Sequence, residues 1–421
     1  MSAPESLSHG NSLRTNIGTV SGGTEHRFGG TEHRFGGTEH RSAGVRNLFT
    51  RRSKKVQVKG EDFYRAGQWQ LVWLKFRRHR LANIALVVLG IFYFFALFAE
   101  LMAPYIPLHR HKNYVSKPPS AIYIRDAQGN FRLPFVYGIE RGRDPNTMFP
   151  VYKEITSEIY PIKLFVHGDK YKFWGLFKTD LHLFGTGTND VPVSILGTDK
   201  IGRDTFSRVI YGARISLSVG LLGVVISFIL GMALGGIAGY FGGVVDEVIM
   251  RVIDVLVSIP TIPLFMALAA ALPQNWPQIR IYFYITVILS ILGWTGLART
   301  IRGKLLSLRE EDYVMAAHLD GEGESSIIAR YLLPGFASYI IVSLTLSIPG
   351  QIIGETSLSF LGIGLSEPTV SWGTMLRDCQ SIQVVAQQPW LLWPVAFVIL
   401  AVLMFNFLGD GLRDAADPYV T

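Results

Sequence analysis

Glu311-Asp312-Tyr313-Val314-Met315-Ala316-Ala317-His318-Leu319-Asp320-Gly321, followed by Ile327-Ile328-Ala329-Arg330-Tyr331-Leu332-Leu333-Pro334, lies between two apolar runs and decides how the chain is read. Ala316 and Ala317 are small enough to let another surface come close, and Gly321 permits a sharp turn. Pro334 is expected to end a second short helix ahead of the next apolar run. The stretch reads as two short helices joined at Gly321, forming a docking element.

On either side lie runs long enough to cross a bilayer, whose hydrocarbon core near 30 Å takes about 20 helical residues. Six spans are expected, roughly Ala82 to Ala103, Ile215 to Tyr240, Val255 to Leu272, Ile281 to Ala298, Phe336 to Leu358 and Leu391 to Leu408. The third is short and holds Pro260 and Pro263, so it is expected inside a bundle whose neighbours satisfy the freed carbonyls. Lys75, Arg77, Arg78 and Arg80 precede the first span, and Arg299, Arg302, Lys304, Arg309 and Arg330 lie between the fourth and fifth. The positive-inside rule places both flanks, and with six spans both termini, in the cytosol. Residues 104 to about 206 then fall outside, a segment too long for its own Lys and Arg to set the orientation.

Composition agrees: of 421 residues, 49% are hydrophobic and 17% charged, below the charge content of soluble domains. The mean hydropathy of +0.28 comes from concentrated runs, because the N-terminal stretch is polar and Gly-rich. The net charge of +8 sits beside apolar runs, where it orients spans rather than forming a nucleic-acid surface. The single cysteine, Cys379, excludes an internal disulfide and a multi-cysteine metal site. No metal or other cofactor is expected.

Gly22-Gly23-Thr24-Glu25-His26-Arg27-Phe28 is repeated from Gly29 to Phe35 and again, without its Phe, from Gly36 to Arg41. Two glycines and one Phe per seven residues cannot build a coiled-coil seam, so residues 1 to 74 read as a mostly disordered cytosolic tail. His26, His33 and His40 are evenly spaced but read as solvated tail rather than metal ligands. The first apolar run begins about 80 residues in and is too long for a signal-peptide core, so it stays as a membrane anchor, residues 75 to 105.

The outer segment, residues 106 to 195, reads as a small β-rich cap. Ala121 to Arg125 and Ile162 to Val166 have strand character, and Asp126-Ala127-Gln128-Gly129-Asn130 reads as a turn. Its aromatic patch, Tyr171, Phe173, Trp174 and Phe177, is expected to pack on the helices, with a docked partner or ligand as the alternative.

The docking stretch resembles the coupling loop of ABC importer permeases: Glu-Ala-Ala, a Gly four residues after the last Ala, and a Leu-Pro further on. Here Ala316, Ala317, Gly321, Leu333 and Pro334 fill those positions, while Met315 stands where the Glu is usual and Tyr331 where an Ile is usual. Four other segments resemble the dipeptide and oligopeptide branch, in the subunit type with a characteristic N-terminal region. They are Phe76 to Ala82; Leu196-Gly197-Thr198-Asp199 through Tyr211-Gly212-Ala213-Arg214; Ser359-Phe360-Leu361-Gly362 with Ser371-Trp372-Gly373-Thr374-Met375-Leu376; and Phe405-Asn406 through Asp417-Pro418. The resemblance implies an all-α integral membrane fold, six transmembrane helices of ABC importer permease type, with a partly β extracellular insertion between helices 1 and 2. Residues 196 to 421 form the permease domain. It also implies a homologous second permease, two cytosolic ATPase subunits at Met315 to Pro334, an extracytoplasmic substrate-binding protein, and location in the bacterial plasma (inner) membrane. The stretch between Pro104 and Val193 is longer than in common peptide permeases.

Physical readings stand beside the resemblance. Gly231, Gly235, Gly239 and Gly243 recur every four residues and offer a stripe for close helix packing. Asp199, Arg203, Asp204 and Arg208 alternate in sign, as in an interfacial amphipathic helix with local ion pairs. Arg251 and Asp254 are placed to pair on one helix face. Glu355, near the outer end of the fifth span, is the candidate pathway residue, although a carboxylate there can equally reach water; Glu100, closing the first span, reads as interfacial.

No enzyme motif survives inspection. Gly303-Lys304 is the one phosphate-loop fragment, but Ala298 stands where its first Gly is required and Leu305 replaces the Ser or Thr. The chain is expected to be non-hydrolytic and to pass substrate by alternating access. Dipeptides or oligopeptides are favoured by the resemblance, with nickel chelates, oligosaccharides and peptide-like antibiotics open. An ion-coupled secondary transporter is the rival, but the paired interrupted helices it requires are not evident.

Overall fold

The computed structural model describes residues 68–145, 150–187, 191–273 and 275–416. The heptapeptide repeat, His26, His33, His40 and the closing Asp417-Pro418 lie outside the described residues. Two helices open the described chain, α1 (Gln68–Phe76) and α2 (Arg80–Leu97), followed by the single turn α3 (Ala99–Met102). His79 separates α1 from α2 and caps α2, its Nδ1 accepting from the Ala82 amide at 3.1 Å.

An insertion of five antiparallel strands follows: β1 (Tyr123–Arg125), β2 (Phe131–Arg143), β3 (Pro150–Pro161), β4 (Lys163–Phe173) and β5 (Phe177–Gly185). They form one sheet in the order β1-β2-β3 and a separate β4-β5 hairpin. The expected turn holds the first hairpin: Asp126 accepts from the amides of Gln128 and Asn130 and from Arg132, with Gly129 at φ +86.

The helical part comprises α4 (Thr205–Phe241), α5 (Gly243–Ser258), α6 (Thr261–Ala270), α7 (Gln278–Leu308), α8 (Asp312–Leu319), α9 (Glu324–Ile327), α10 (Leu333–Phe360), α11 (Trp372–Leu376), α12 (Ile382–Gln387) and α13 (Trp393–Ala416). Among the described residues, five helical segments are long and apolar enough to cross a membrane: α2, α4, α7, α10 from Phe336, and Pro389–Ala416, which contains α13. The expected third span is not one helix. Pro260 pushes Ile259 out of the helical region, to φ −86 and ψ 130, and α5 and α6 meet at 88°. At ten residues α6 is too short to cross alone, so a sixth span exists only if the bent pair is counted as one. Nor is the pair sheltered in the bundle as expected, since Val255, Val257 and Ile262 are exposed on this chain.

The glycine stripe does what its spacing predicts at three of four positions. A Cβ at Gly235 would lie 2.5 Å from the Ala298 carbonyl oxygen, one at Gly239 2.9 Å from the Arg302 Cα, and one at Gly231 3.0 Å from the Leu297 Cβ. The stripe therefore brings α4 against α7 almost backbone to backbone. Gly243 lies past the end of α4, where an added Cβ meets nothing. A second core joins α2, α4, α10, α11 and α13 around Phe92, Leu217, Ile352, Trp372 and Phe405.

Candidate functional site: a helical corner and a buried polar node

The corner begins where α7 hands over to α8. Val314 and Ala317, three residues apart, turn inward onto Leu297, Ile301 and Leu305 of α7. The opposite side of α8 presents Tyr313, Met315, Ala316 and Leu319 to solvent, with Met315 56% and Leu319 90% exposed. Gly321 sits at φ +78, donates to the His318 carbonyl at 3.1 Å, and is followed by Glu322, which donates to the Ala317 carbonyl at 3.2 Å. These two bonds form a Schellman motif, which satisfies carbonyls that the helix end leaves orphaned.

Beyond the turn, the Glu322 carboxylate accepts from Ser326, from Arg330 at 3.2 Å and from the Tyr331 hydroxyl at 3.3 Å. The Ser326 hydrogen bond holds that carboxyl below its ordinary range. Tyr331, the departure from the usual Ile, thus helps tie the second arm of the corner to its turn. That arm does not stop at Pro334. α9 runs through one π-helical turn, Ile328–Leu332, directly into α10, whose second residue is Pro334. The break falls instead at Phe336, with φ −124 and ψ 15. The side chains of Leu333 and Pro334 lie outside the described residues.

At the other end of α4, Asp199, Arg203, Asp204 and Arg208 are not a surface helix. Residues 199–204 form a turn, buried except at Lys200 and Ile201 and bridged between Thr198 and Asp204, and Asp204 caps α4 by accepting from the Ser207 amide at 2.8 Å. Asp199 accepts from Arg203 at 2.6 Å and from Arg208, and both guanidinium groups also reach Glu367, at 2.6 and 3.0 Å. Burial alone would raise the Asp199 carboxyl, but Arg208 and Arg203 overcome it and hold it below the ordinary carboxylate range. Burial wins at Asp204, which is pushed up to about 6.

Glu355 is not open to a pathway in this chain. It is fully enclosed and accepts from Ser371 at 2.7 Å, Ser359 at 2.8 Å and Ser216 at 3.2 Å. Ser216 also accepts from the Trp372 amide at 3.1 Å, and the Trp372 indole donates to the Val209 carbonyl at 3.1 Å. The node pins α11 onto α4 and α10. Glu100 pairs with Arg214 of α4 at 2.5 Å. Asp254 pairs not with Arg251 but with Arg299 of α7, at 2.6 Å, which ties α5 to α7.

Two family profiles match the chain. One is described as "Binding-protein-dependent transport system inner membrane component" and covers residues 231–421; the other, "N-terminal TM domain of oligopeptide transport permease C", covers residues 67–119. The dipeptide transport system permease protein DppC of Bacillus subtilis is 41% identical over 224 residues, 53% of this chain and 68% of the relative. The oligopeptide transport system permease protein OppC of the same organism is 37% identical over 223 residues, 53% and 70% respectively. That of Haemophilus influenzae is 39% identical over 241 residues, 57% and 75%. With these matches on a fold of long apolar helices, the chain belongs to the binding-protein-dependent transport system inner membrane components. Within that family it is an ABC importer permease carrying the N-terminal region of the oligopeptide permease C type, and a multi-pass inner membrane protein.

Proposed function

We propose that this chain is one of two membrane subunits lining the pathway of a peptide importer. A second, homologous permease covers its exposed α5–α6 face, and an extracytoplasmic binding protein delivers dipeptides or oligopeptides on the insertion side. The names of the dipeptide, oligopeptide and glutathione permeases it matches support that substrate class. On this reading two separate ATPase subunits supply the energy, the corner faces the cytosol with both termini, and the chain hydrolyses nothing itself.

The observation that carries the proposal is the two-sided α8. One side is fixed to α7 through Val314 and Ala317, while the other leaves Tyr313, Met315, Ala316 and Leu319 uncovered beside a turn locked by Gly321. An exposed apolar helix face of that kind fits a groove on another protein. ATP-driven movement of the partner would then carry the corner and switch the pathway as a rigid two-state rearrangement. Glu355 serves in it by holding α11 to α4 and α10.

Co-purification tests the assembly. The tagged permease, solubilised in mild detergent, is expected to bring down a second permease and two ATPases, and Leu319→Asp is expected to lose the ATPases while keeping the second permease. A chain that transports while purifying alone overturns the reading.

A further inference from the structure

The β4–β5 hairpin ends in an apolar tip, Phe173-Trp174-Gly175-Leu176-Phe177. Leu176 donates to the Phe173 carbonyl at 2.9 Å across a two-residue turn, with Trp174 at φ +50 and Gly175 at φ +76. Asn, Asp or Gly adopts the first of those conformations at less cost than Trp, and tips that face water carry such residues. Here the Trp is held in place. Its indole donates to the Leu97 carbonyl at 2.9 Å, and the Arg214 guanidinium lies over its ring at 4.6 Å. Arg214 also donates to the Ala96 carbonyl at 2.8 Å, so hairpin and α4 together satisfy the last carbonyls of α2. Phe173 stacks on Phe98.

This latch sets the tip where the apolar surface of α2 ends. Ile84, Val87, Ile91, Phe94 and Leu97 form an exposed stripe along α2, and Leu176 and Phe177, next to the Trp174 that is bonded to the end of that helix, are 74% and 64% exposed. One residue pair behind the tip, Lys172 faces Lys178 directly, an arrangement that repels unless an anion lies nearby. With Lys170, Tyr171, Thr179 and a single acidic residue, Asp180, they line a concavity of about 580 Å³ in which three lysines outnumber one carboxylate. Aromatic and apolar side chains at the level of a span's end, backed by clustered lysines, match the chemistry of a bilayer interface with anionic headgroups.

We propose that the β4–β5 tip inserts into the headgroup region of the leaflet on its own side of the membrane, anchoring the insertion to lipid, with Lys170, Lys172 and Lys178 drawing anionic headgroups around it. Lipid is the occupant because the tip is latched to the end of α2, a helix long and apolar enough to span a membrane, whose exposed stripe is left uncovered by the described residues.

The test uses the assembled transporter in nanodiscs of phosphatidylethanolamine and phosphatidylglycerol, with a nitroxide at Leu176→Cys or, as a second site, Phe177→Cys, in a Cys379→Ser background. Both labels are expected to favour oxygen over a water-soluble nickel chelate and to report a depth of roughly 5–10 Å. A label at Gln128→Cys, in the β1–β2 turn, is expected to favour the nickel chelate. Replacing phosphatidylglycerol with phosphatidylcholine is expected to make the Leu176 label shallower, and Lys170→Gln/Lys172→Gln/Lys178→Gln to abolish that lipid dependence. Tip labels that behave like Gln128 overturn the proposal. So do tip labels shielded from both reagents in the complex but not in the isolated permease, which would identify a protein as the occupant; an unchanged depth without phosphatidylglycerol overturns the role of the lysines.

Discussion

The Glu322 amide donates to the Ala317 carbonyl at 3.2 Å, closing a turn that only a left-handed residue at position 321 can make. Space is not the constraint at Gly321, because an added Cβ meets nothing within 4 Å. Backbone conformation is. Gly321→Ala is expected to cost about 1–2 kcal/mol at the corner, and Gly321→Val more, because its branched Cβ is harder to hold at positive φ. Transport should fall in that order while membrane insertion stays intact, read by uptake into proteoliposomes beside the amount of protein in the membrane.

The α4–α7 contact makes the opposite prediction about space. Gly235→Ala puts a methyl 2.5 Å from the Ala298 carbonyl oxygen and is expected to destabilise the bundle by about 1–3 kcal/mol. Gly236→Ala, whose Cβ meets nothing, is expected to be silent or slightly stabilising. Thermal melting of the detergent-solubilised protein separates these neighbours.

Asp199 is the shared acceptor of two buried arginines. Asp199→Asn leaves Arg203 and Arg208 with the half-exposed Glu367 and, at 3.9 Å from Arg203, Asp378, and is expected to cost about 3–5 kcal/mol. Glu367→Gln should cost much less, because solvent already screens that carboxylate. Expression level and melting temperature of the two variants give the comparison.

The insertion has a pH-dependent clamp where Asp169 accepts from His109 at 2.9 Å and from the Ile106 amide at 3.3 Å. The hydrogen bond to Asp169 raises the His109 pKa above 6.5, so its stabilisation is complete below 6.5 and is lost as pH rises through the raised value. Burial would raise Asp169, but His109 overcomes it and holds it below 3.8; that contribution is present above 3.8 and lost as pH falls through the lowered value. Beside them His111 is pushed down to about 4 by burial and by His109, so its unfavourable protonation subtracts stability progressively from about pH 6.5 down to 4. Protection of the Ile106 amide from hydrogen exchange should therefore decline on both sides of mildly acidic pH. His109→Asn should remove the decline on the alkaline side; an unchanged profile in that variant would exclude the clamp.

Much of the fold was legible because its signals are local. Apolar runs of about 20 residues, a turn at Asp126–Asn130, a four-residue glycine period and a Gly after Ala316-Ala317 each act within a few residues of themselves. The failures share the opposite cause. Arg251 and Asp254 have good spacing, yet Asp254 is taken by Arg299, 45 residues on. The alternating charges from Asp199 to Arg208 look like a surface helix until Glu367, 159 residues beyond Arg208, encloses them. Glu355 looks free to reach water because Ser216, one of its three partners, lies 139 residues away. The third span is a bent pair rather than one helix: a proline in an apolar run announces a break at Ile259 but not the angle at which the two halves part.

α4 has 37 residues and no proline, which makes a rod about 55 Å long. Its first turn, capped by Asp204, is socketed through Arg208 into the ion pairs at Asp199 and Glu367, and its far quarter, at Gly235 and Gly239, bears on the helix that carries the corner. Such a rod has no joint at which a displacement could be absorbed, so tilting one end sweeps the other through the same angle. The insertion side and the corner side are thereby geared to a single shaft, and any change of state in this chain must pivot that shaft as a whole or bend the broken and kinked helices around it.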